Sequence, residues 1–210
     1  MKNLLIIGAR GFGREVYQLA KRCSQNQKNF VIKGFLDDKY DALNQFDEYP
    51  PIIDSVENYI PQKDDVFICA LGNVHEKIKY SELILNKGGQ FITLVCPKAL
   101  VPKAVKLGVG CIVGYNAILS PEVKVGDFVT IMTQSVIGHD CTIGNWCHLG
   151  PFVFLGGHVQ VDKKVQINVR ATVIPGIKIG ENSTVGAASV VIRDVKPGTA
   201  VFGNPAKKIQ

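Results

Sequence analysis

Two hydrophobic rhythms run along this chain, and the change between them falls near residue 95. Before it, short apolar runs alternate with stretches of helical spacing. Residues 4–7, 30–36, 66–71 and 91–95 read as buried strands. Residues 14–23 place Val16, Leu19 and Ala20 on one side of a helix. Residues 76–85 read as a second helix, with His75 at its start and Gly88-Gly89 at its end. Strands alternating with helices in this way predict a small parallel sheet with helices on its faces.

After residue 95 the period is six. Every sixth residue from Val95 to Val191 is Val, Ile or Leu, at 17 positions without a break. The fifth position of each hexad is also restricted, as in Cys111, Ala117, Val123, Val129, Ser135, Cys141 and Cys147. Glycine fills the second position in nine hexads. The pattern predicts a solenoid of short strands with one large aliphatic and one small residue pointing inward from each flat face. Glycine is expected where the backbone bends. The coils should stack at roughly strand spacing, ~4.8 Å. The frame never slips, so no long loop should interrupt them. The predicted division is residues 1–94 and residues 95–210, the second including a C-terminal tail.

Composition narrows the function. Apolar residues make up 46% of the 210, enough for a real core. No apolar run reaches membrane-spanning length. The short apolar stretch at the N-terminus runs straight into a glycine turn rather than a cleavage site, which predicts a cytoplasmic protein. The net charge of +6 suits a mildly basic surface or a pull on anionic ligands. With no dense Lys/Arg stripe and no aromatic-rich motif, nucleic acid is the poorest of the possible partners. The six cysteines form no CxxC pair and no His/Cys cluster of zinc spacing, so free thiols and no metal are expected. Cys111, Cys141 and Cys147 fall at inward fifth positions, where a thiol is core rather than nucleophile.

Candidate chemistry sits in two places. Gly8-Ala9-Arg10-Gly11-Phe12-Gly13 follows the first strand and opens the first helix. Such a turn lets backbone approach a ligand, and the helix N-terminus favours a phosphate. It also serves as a plain strand-to-helix turn. Asp37-Asp38 and Gly72-Asn73 close two further strands, and carboxyl ends of strands are where open α/β sheets bind ligands. Fewer than 95 residues precede the repeat, and the glycine spacing is not GxGxxG, so NAD is a poor fit. In the repeat, His139, His148 and His158 avoid the inward positions and should lie outside the coil. Asp140 follows His139, and a neutral imidazole beside a carboxylate suits a general base near neutral pH. On a straight strand residues 139 and 140 would face opposite sides, so their pairing requires a bend.

These features together resemble one bacterial family, the sialic acid O-acetyltransferases and nucleotide-linked 4-amino-sugar N-acetyltransferases. The resemblance covers essentially the whole chain. It rests on the glycine turn, Leu36-Asp37-Asp38, Ala70-Leu71-Gly72-Asn73, Ile137-Gly138-His139-Asp140-Cys141 and the tail Gly203-Asn204-Pro205-Ala206-Lys207. It implies a Rossmann-like N-terminal domain followed by a left-handed parallel β-helix. His139 would be the general base, with Asp140 as its acidic partner. Arg10, Gly11, Phe12, Asp37, Asp38, Gly72 and Asn73 would hold the nucleotide of the acceptor sugar. Acetyl-CoA would lie along the coils of an adjacent subunit in a homotrimer, at His148, Gly157, Val169 and Ala187, with Lys207 for phosphate. Arg10 and Phe12 stand where the family usually has a glycine and a histidine, and Val74 where a polar residue is frequent.

The reaction so implied is acetyl-CoA-dependent N-acetylation of a nucleotide-linked amino-dideoxy sugar by direct transfer. O-acetylation of sialic acid or another sugar hydroxyl is the alternative, and an inactive trimeric nucleotide-sugar scaffold is a reading of another class.

Overall fold

A computed structural model describes residues 1–27 and 29–209 of the chain. They divide into two compact units, Met1–Pro97 and Lys98–Gln210. No helix among the described residues is long and apolar enough to cross a membrane.

The first unit is a five-stranded parallel sheet. Its elements run β1 (Lys2–Ile7), α1 (Gly11–Gln27), β2 (Phe30–Leu36), β3 (Ile52–Asp54), β4 (Asp65–Cys69), α2 (Val74–Asn86) and β5 (Gln90–Phe91). The strand order is β3-β2-β1-β4-β5, with every neighbouring pair parallel. Central β1 contributes Leu4, Leu5, Ile6 and Ile7, all fully buried, as the unbroken apolar run requires of a strand covered on both faces. Short β3 was not legible, because none of its residues is buried and so few carry no period. The strand expected at 91–95 is split into β5 and a separate pair, Leu94–Val95.

One buried polar network pins the lower end of this sheet. The carboxylate of Asp65 accepts hydrogen bonds from the Tyr59 hydroxyl at 2.6 Å, the Gln62 backbone N–H at 2.9 Å and Lys33 Nζ at 3.0 Å. Burial alone would raise its pKa, but these donors outweigh burial and hold the carboxyl below its ordinary value.

The second unit is a parallel β-helix. Its strands are very short, and each pairs in register with the strands three hexads before and after it, as in Lys124 with Lys106 and Thr142. Three hexads, each with one strand, therefore make one coil. One sheet contains Lys106–Leu107, Lys124–Val125, Thr142–Ile143, Gln160–Val161 and Lys178–Ile179. A second contains Ile112–Val113, Thr130–Ile131, His148–Leu149, Gln166–Ile167 and Thr184–Val185. The third contains Ile118–Leu119, Val136–Ile137, Phe154–Leu155, Thr172–Val173 and Val190–Val191. The tail folds back as an antiparallel pair, Ala200–Phe202 with Lys207–Lys208, which covers the open end of the second sheet.

The first hexad position points inward, and from Val113 to Val191 none of these residues is more than 6% exposed. The small fifth-position side chains do more than fill space. Cys111, Cys141 and Cys147 donate to the carbonyls of Gly126, Gly156 and Asp162 at 3.0–3.1 Å, and Ser135 to Gly150 at 2.9 Å. Each acceptor lies in the next coil, so these groups tie coil to coil. All six cysteines are free and buried.

The bend is not where glycine was expected to provide it. From residue 110 to residue 188 the left-handed residue is the fourth of each hexad, and in twelve cases it is not glycine, with φ between 52° and 67°. Such residues cost roughly 1–2 kcal/mol each. The cost is offset by a corner hydrogen bond to the previous coil, as from His158 N to His139 O at 2.9 Å. The second-position glycines answer a different need. A Cβ on Gly144 would lie 2.6 Å from the Lys163 backbone nitrogen, and one on Gly138 2.6 Å from that of Gly157. The coils approach too closely there for any side chain.

Asp65 supplies a stability test. Its depressed pKa means that its contribution is complete above the ordinary carboxylate range and is lost as pH falls through that range and below. Asp65→Asn should lower unfolding free energy by about 2–4 kcal/mol at neutral pH, because Lys33 and Tyr59 lose a buried acceptor. It should also flatten the acid limb of a urea-denaturation series run against pH. An unchanged acid limb would remove Asp65 as its source.

Candidate functional site

At the end of the Val136–Ile137 strand the chain passes through Gly138 and His139 to Asp140, a left-handed corner residue with φ 59°. That corner is the bend that a straight strand lacks. It brings the two neighbouring side chains together, with His139 Nδ1 2.8 Å from Asp140 Oδ2. The hydrogen bond from His139 holds the Asp140 carboxyl below its usual range, and the nearby His158 adds to the effect. Pairing Nδ1–H with a carboxylate leaves Nε2 as the ring nitrogen with a lone pair. The ring lies over the backbone of Gly157, where a Cβ would come within 2.7 Å of Nε2. Gly157 therefore leaves the space that the imidazole occupies.

His158 joins this cluster. It stands three hexads after Asp140, at the same corner one coil on. Its ring meets His139 edge-on with centroids 4.9 Å apart, and its Nε2 is 3.9 Å from Asp140 Oδ2. The signal was present in the sequence as the three-hexad separation, but it has meaning only once three hexads are known to make one coil.

The remaining residues of the expected CoA set do not gather here. Position-three residues stack in corner columns that recur every third hexad, and His139 and Gly157 share one column. Val169 and Ala187 share another, stacked through Ala188 N to Val169 O at 2.9 Å. His148 lies on the second sheet between Thr130 and Gln166. It is half-buried rather than fully outside as its hexad position suggested. Lys207 is exposed on the terminal hairpin.

In the first unit, a cavity of about 240 Å³ opens at the carboxyl ends of β1, β2 and β4. Arg10, Phe12, Asp37, Asp38 and Gly72 line it. Gly11 and Asn73 are not among the lining residues. Asn73 instead caps α2, its Oδ1 accepting from His75 N at 2.9 Å and Glu76 N at 3.1 Å. Asp37 is buried and also structural. Its Oδ2 accepts from Ala9 N at 2.8 Å and its Oδ1 from Lys39 N at 2.9 Å, so it joins the glycine turn to the turn after β2. Asp38 is the exposed carboxylate of that rim.

A Cβ on Gly13 would overlap the Gly8 carbonyl oxygen at 2.0 Å, so the first turn of α1 packs directly on the β1 turn. Glu76 and Tyr80 also line the cavity, from one face of α2, and sequence reading missed them. Their i, i+4 spacing just after Gly72-Asn73 was the available signal.

Comparison with known proteins agrees with both halves. A family profile described as the PglD N-terminal domain matches residues 3–84, and one described as the GMPPB C-terminal domain matches residues 93–184. UDP-N-acetylbacillosamine N-acetyltransferase of Bacillus subtilis (strain 168) is 32% identical over 117 residues, 54% of this chain and 51% of that protein. YvoF of the same organism is 28% identical over 125 residues, 60% of this chain and 58% of that protein. The chain thus spans little more than half the length of these curated relatives.

Solved structures match more fully. PerB from Caulobacter crescentus, in complex with CoA and GDP-perosamine, superposes with a TM-score of 0.90 at 28% identity, covering 100% of this chain and 98% of that one. The acetyltransferase domain of PglB from Neisseria gonorrhoeae FA1090, in complex with acetyl coenzyme A, gives a TM-score of 0.89 at 26% identity, covering 99% of each chain. With its Rossmann-like first unit and its left-handed β-helix, the chain is similar along its whole length to sugar acetyltransferases of known structure.

Proposed function

We propose that this protein transfers the acetyl group of acetyl-CoA to the amino group of a nucleotide-linked amino-dideoxy sugar, in the cytoplasm. The observation that carries the reading is the His139–Asp140 pair on the outside of the coil. Its Nδ1 is committed to a carboxylate and its Nε2 is left as the base. The solved relative that holds GDP-perosamine together with CoA, and the relative named for UDP-N-acetylbacillosamine, support an acceptor of this class.

The chemistry follows from the groups present. The sugar amine attacks the thioester carbonyl, and His139 Nε2 takes the amine proton as the N–C bond forms. The imidazolium so formed is stabilised by Asp140. The tetrahedral intermediate collapses, the C–S bond breaks, and the thiolate leaves as CoA after taking up a proton. The inward cysteines are buried and serve as donors between coils, which supports direct transfer over an acyl-enzyme. In the first unit, the N-terminus of α1 and Arg10 suit the nucleotide phosphates, and Asp38 suits a ribose or base hydrogen bond.

The same reading includes a homotrimer. The His139–Gly157 column and the Val169–Ala187 column occupy different corners of a triangular coil, which supports a CoA groove lined by two copies. The outward face of the third sheet supplies an interface, with Leu100, Ile118 and Phe154 exposed along it. The outward positions of the first sheet instead include Lys106, Lys124 and Lys178.

Three measurements test the reading. His139→Ala should abolish thiol release from acetyl-CoA in the presence of GDP- or UDP-linked amino sugars while leaving nucleotide-sugar binding intact. Undiminished turnover would remove His139 as the base, and release with sialic acid alone would make the enzyme an O-acetyltransferase. Asp38→Ala should weaken nucleotide-sugar affinity by ~1–3 kcal/mol at unchanged melting temperature. Asp37→Ala should lower the melting temperature as well, since it releases Ala9 and Lys39 N–H groups; the opposite pattern would exchange their roles. Sedimentation equilibrium should give three chains per particle, and a monomer at working concentration would contradict the shared groove.

A further inference from the structure

The corner that carries His139 has more ligand chemistry than a base and its orienting carboxylate require. His139, Asp140 and His158 each present one donor atom, and the three atoms lie within 4.8 Å of one another. Two ligands on one zinc-sized ion, bound at about 2.0–2.2 Å each, cannot stand more than about 4.4 Å apart. His139 Nδ1 is 2.8 Å from Asp140 Oδ2, and His158 Nε2 is 3.9 Å from the same oxygen. Both separations are already inside that limit.

The backbone beneath them is set by the fold. Asp140 and His158 are left-handed corner residues at φ 59° and 60°, one coil apart, and His158 N donates to His139 O at 2.9 Å. The side chains are 45–65% exposed, so small rotations can close the remaining gap and water can fill the other positions.

We propose that His139, Asp140 and His158 form a binding site for a divalent transition ion of the zinc class, and that the bound ion silences the base. Two imidazole nitrogens and one carboxylate oxygen with open positions are a donor set that suits zinc or cobalt over magnesium or calcium. Coordination through His139 Nδ1 displaces its hydrogen bond to Asp140 and puts the remaining ring proton on Nε2. The nitrogen that would accept the amine proton then has no lone pair to offer. No covalent bond breaks, and removal of the ion restores the Nδ1–H tautomer. The metal site stands on geometry alone; the silencing rests on the acetyltransferase reading.

The test separates the two. Zinc binding is measured by equilibrium dialysis, and cobalt binding by visible absorption, on the full chain without any acetyl donor. Wild type and a His75→Gln control should bind one ion per chain. His158→Gln and Asp140→Asn, each checked for native fold by circular dichroism, should bind it roughly tenfold more weakly or worse. Wild type that takes up no zinc at micromolar free ion, or variants that keep wild-type affinity and stoichiometry, overturn the site.

In a second assay, zinc should stop thiol release and a chelator should restore it, with more zinc needed in His158→Gln. Inhibition at the same zinc concentration in both proteins overturns the silencing. A chain that binds zinc but transfers no acetyl group keeps the metal site and loses the proposed reaction; one that transfers and binds no zinc does the reverse.

Discussion

The backbone ladder between successive coils governs where every other group of the β-helix can go. Each short strand pairs with the strands one full coil away, so neighbouring coils are held at hydrogen-bonding distance on three faces at once. That closeness requires glycine at second positions such as Gly138 and Gly144. It brings the fifth-position thiols and hydroxyls within reach of carbonyls in the next coil. At the corners it imposes a left-handed residue whatever its side chain. The ladder accounts for all three features of the hexad together.

The chemistry of the corner is a by-product of the same constraint. Asp140 is left-handed because it is a fourth-position residue, and being left-handed turns its carboxylate beside His139. Gly157 leaves room for the imidazole because the coil above passes directly over it. The first unit works on a related principle. Gly13 has no Cβ because α1 packs against the β1 turn, and the same close approach leaves the helix N-terminus at the cavity. In both units the groups that hold the backbone together also position the side chains of the histidine corner and of the cavity.

This division explains what the sequence revealed and what it withheld. The inward aliphatics were legible because burial selects for residue type at a fixed period, and long apolar β1, β2 and β4 were legible for the same reason. The His139–Asp140 pair was expected, but adjacency along the chain could not supply the bend that brings the two side chains into contact. His158 was visible only as a surface histidine until the three-hexad register put it above Asp140. Asp37 and Asn73 read as ligand-facing because both end strands. Their oxygens also accept from backbone N–H groups; Asp37 still lines the cavity with Asp38, Glu76 and Tyr80, whereas Asn73 does not. Short β3 lacked both length and period.

The three-hexad register also limits how such a chain can change length. Adding or removing one hexad inside the solenoid would preserve every inward aliphatic and every fourth-position corner, yet turn everything beyond it by one third of a revolution. Placed between residues 140 and 158, such a change would carry His158 to a different edge of the prism and dismantle the cluster without harming the core. Only insertions of a whole coil return each edge to itself. The β-helix thus behaves as a three-position dial, in which folding tolerates any click and the His139–Asp140–His158 cluster only every third.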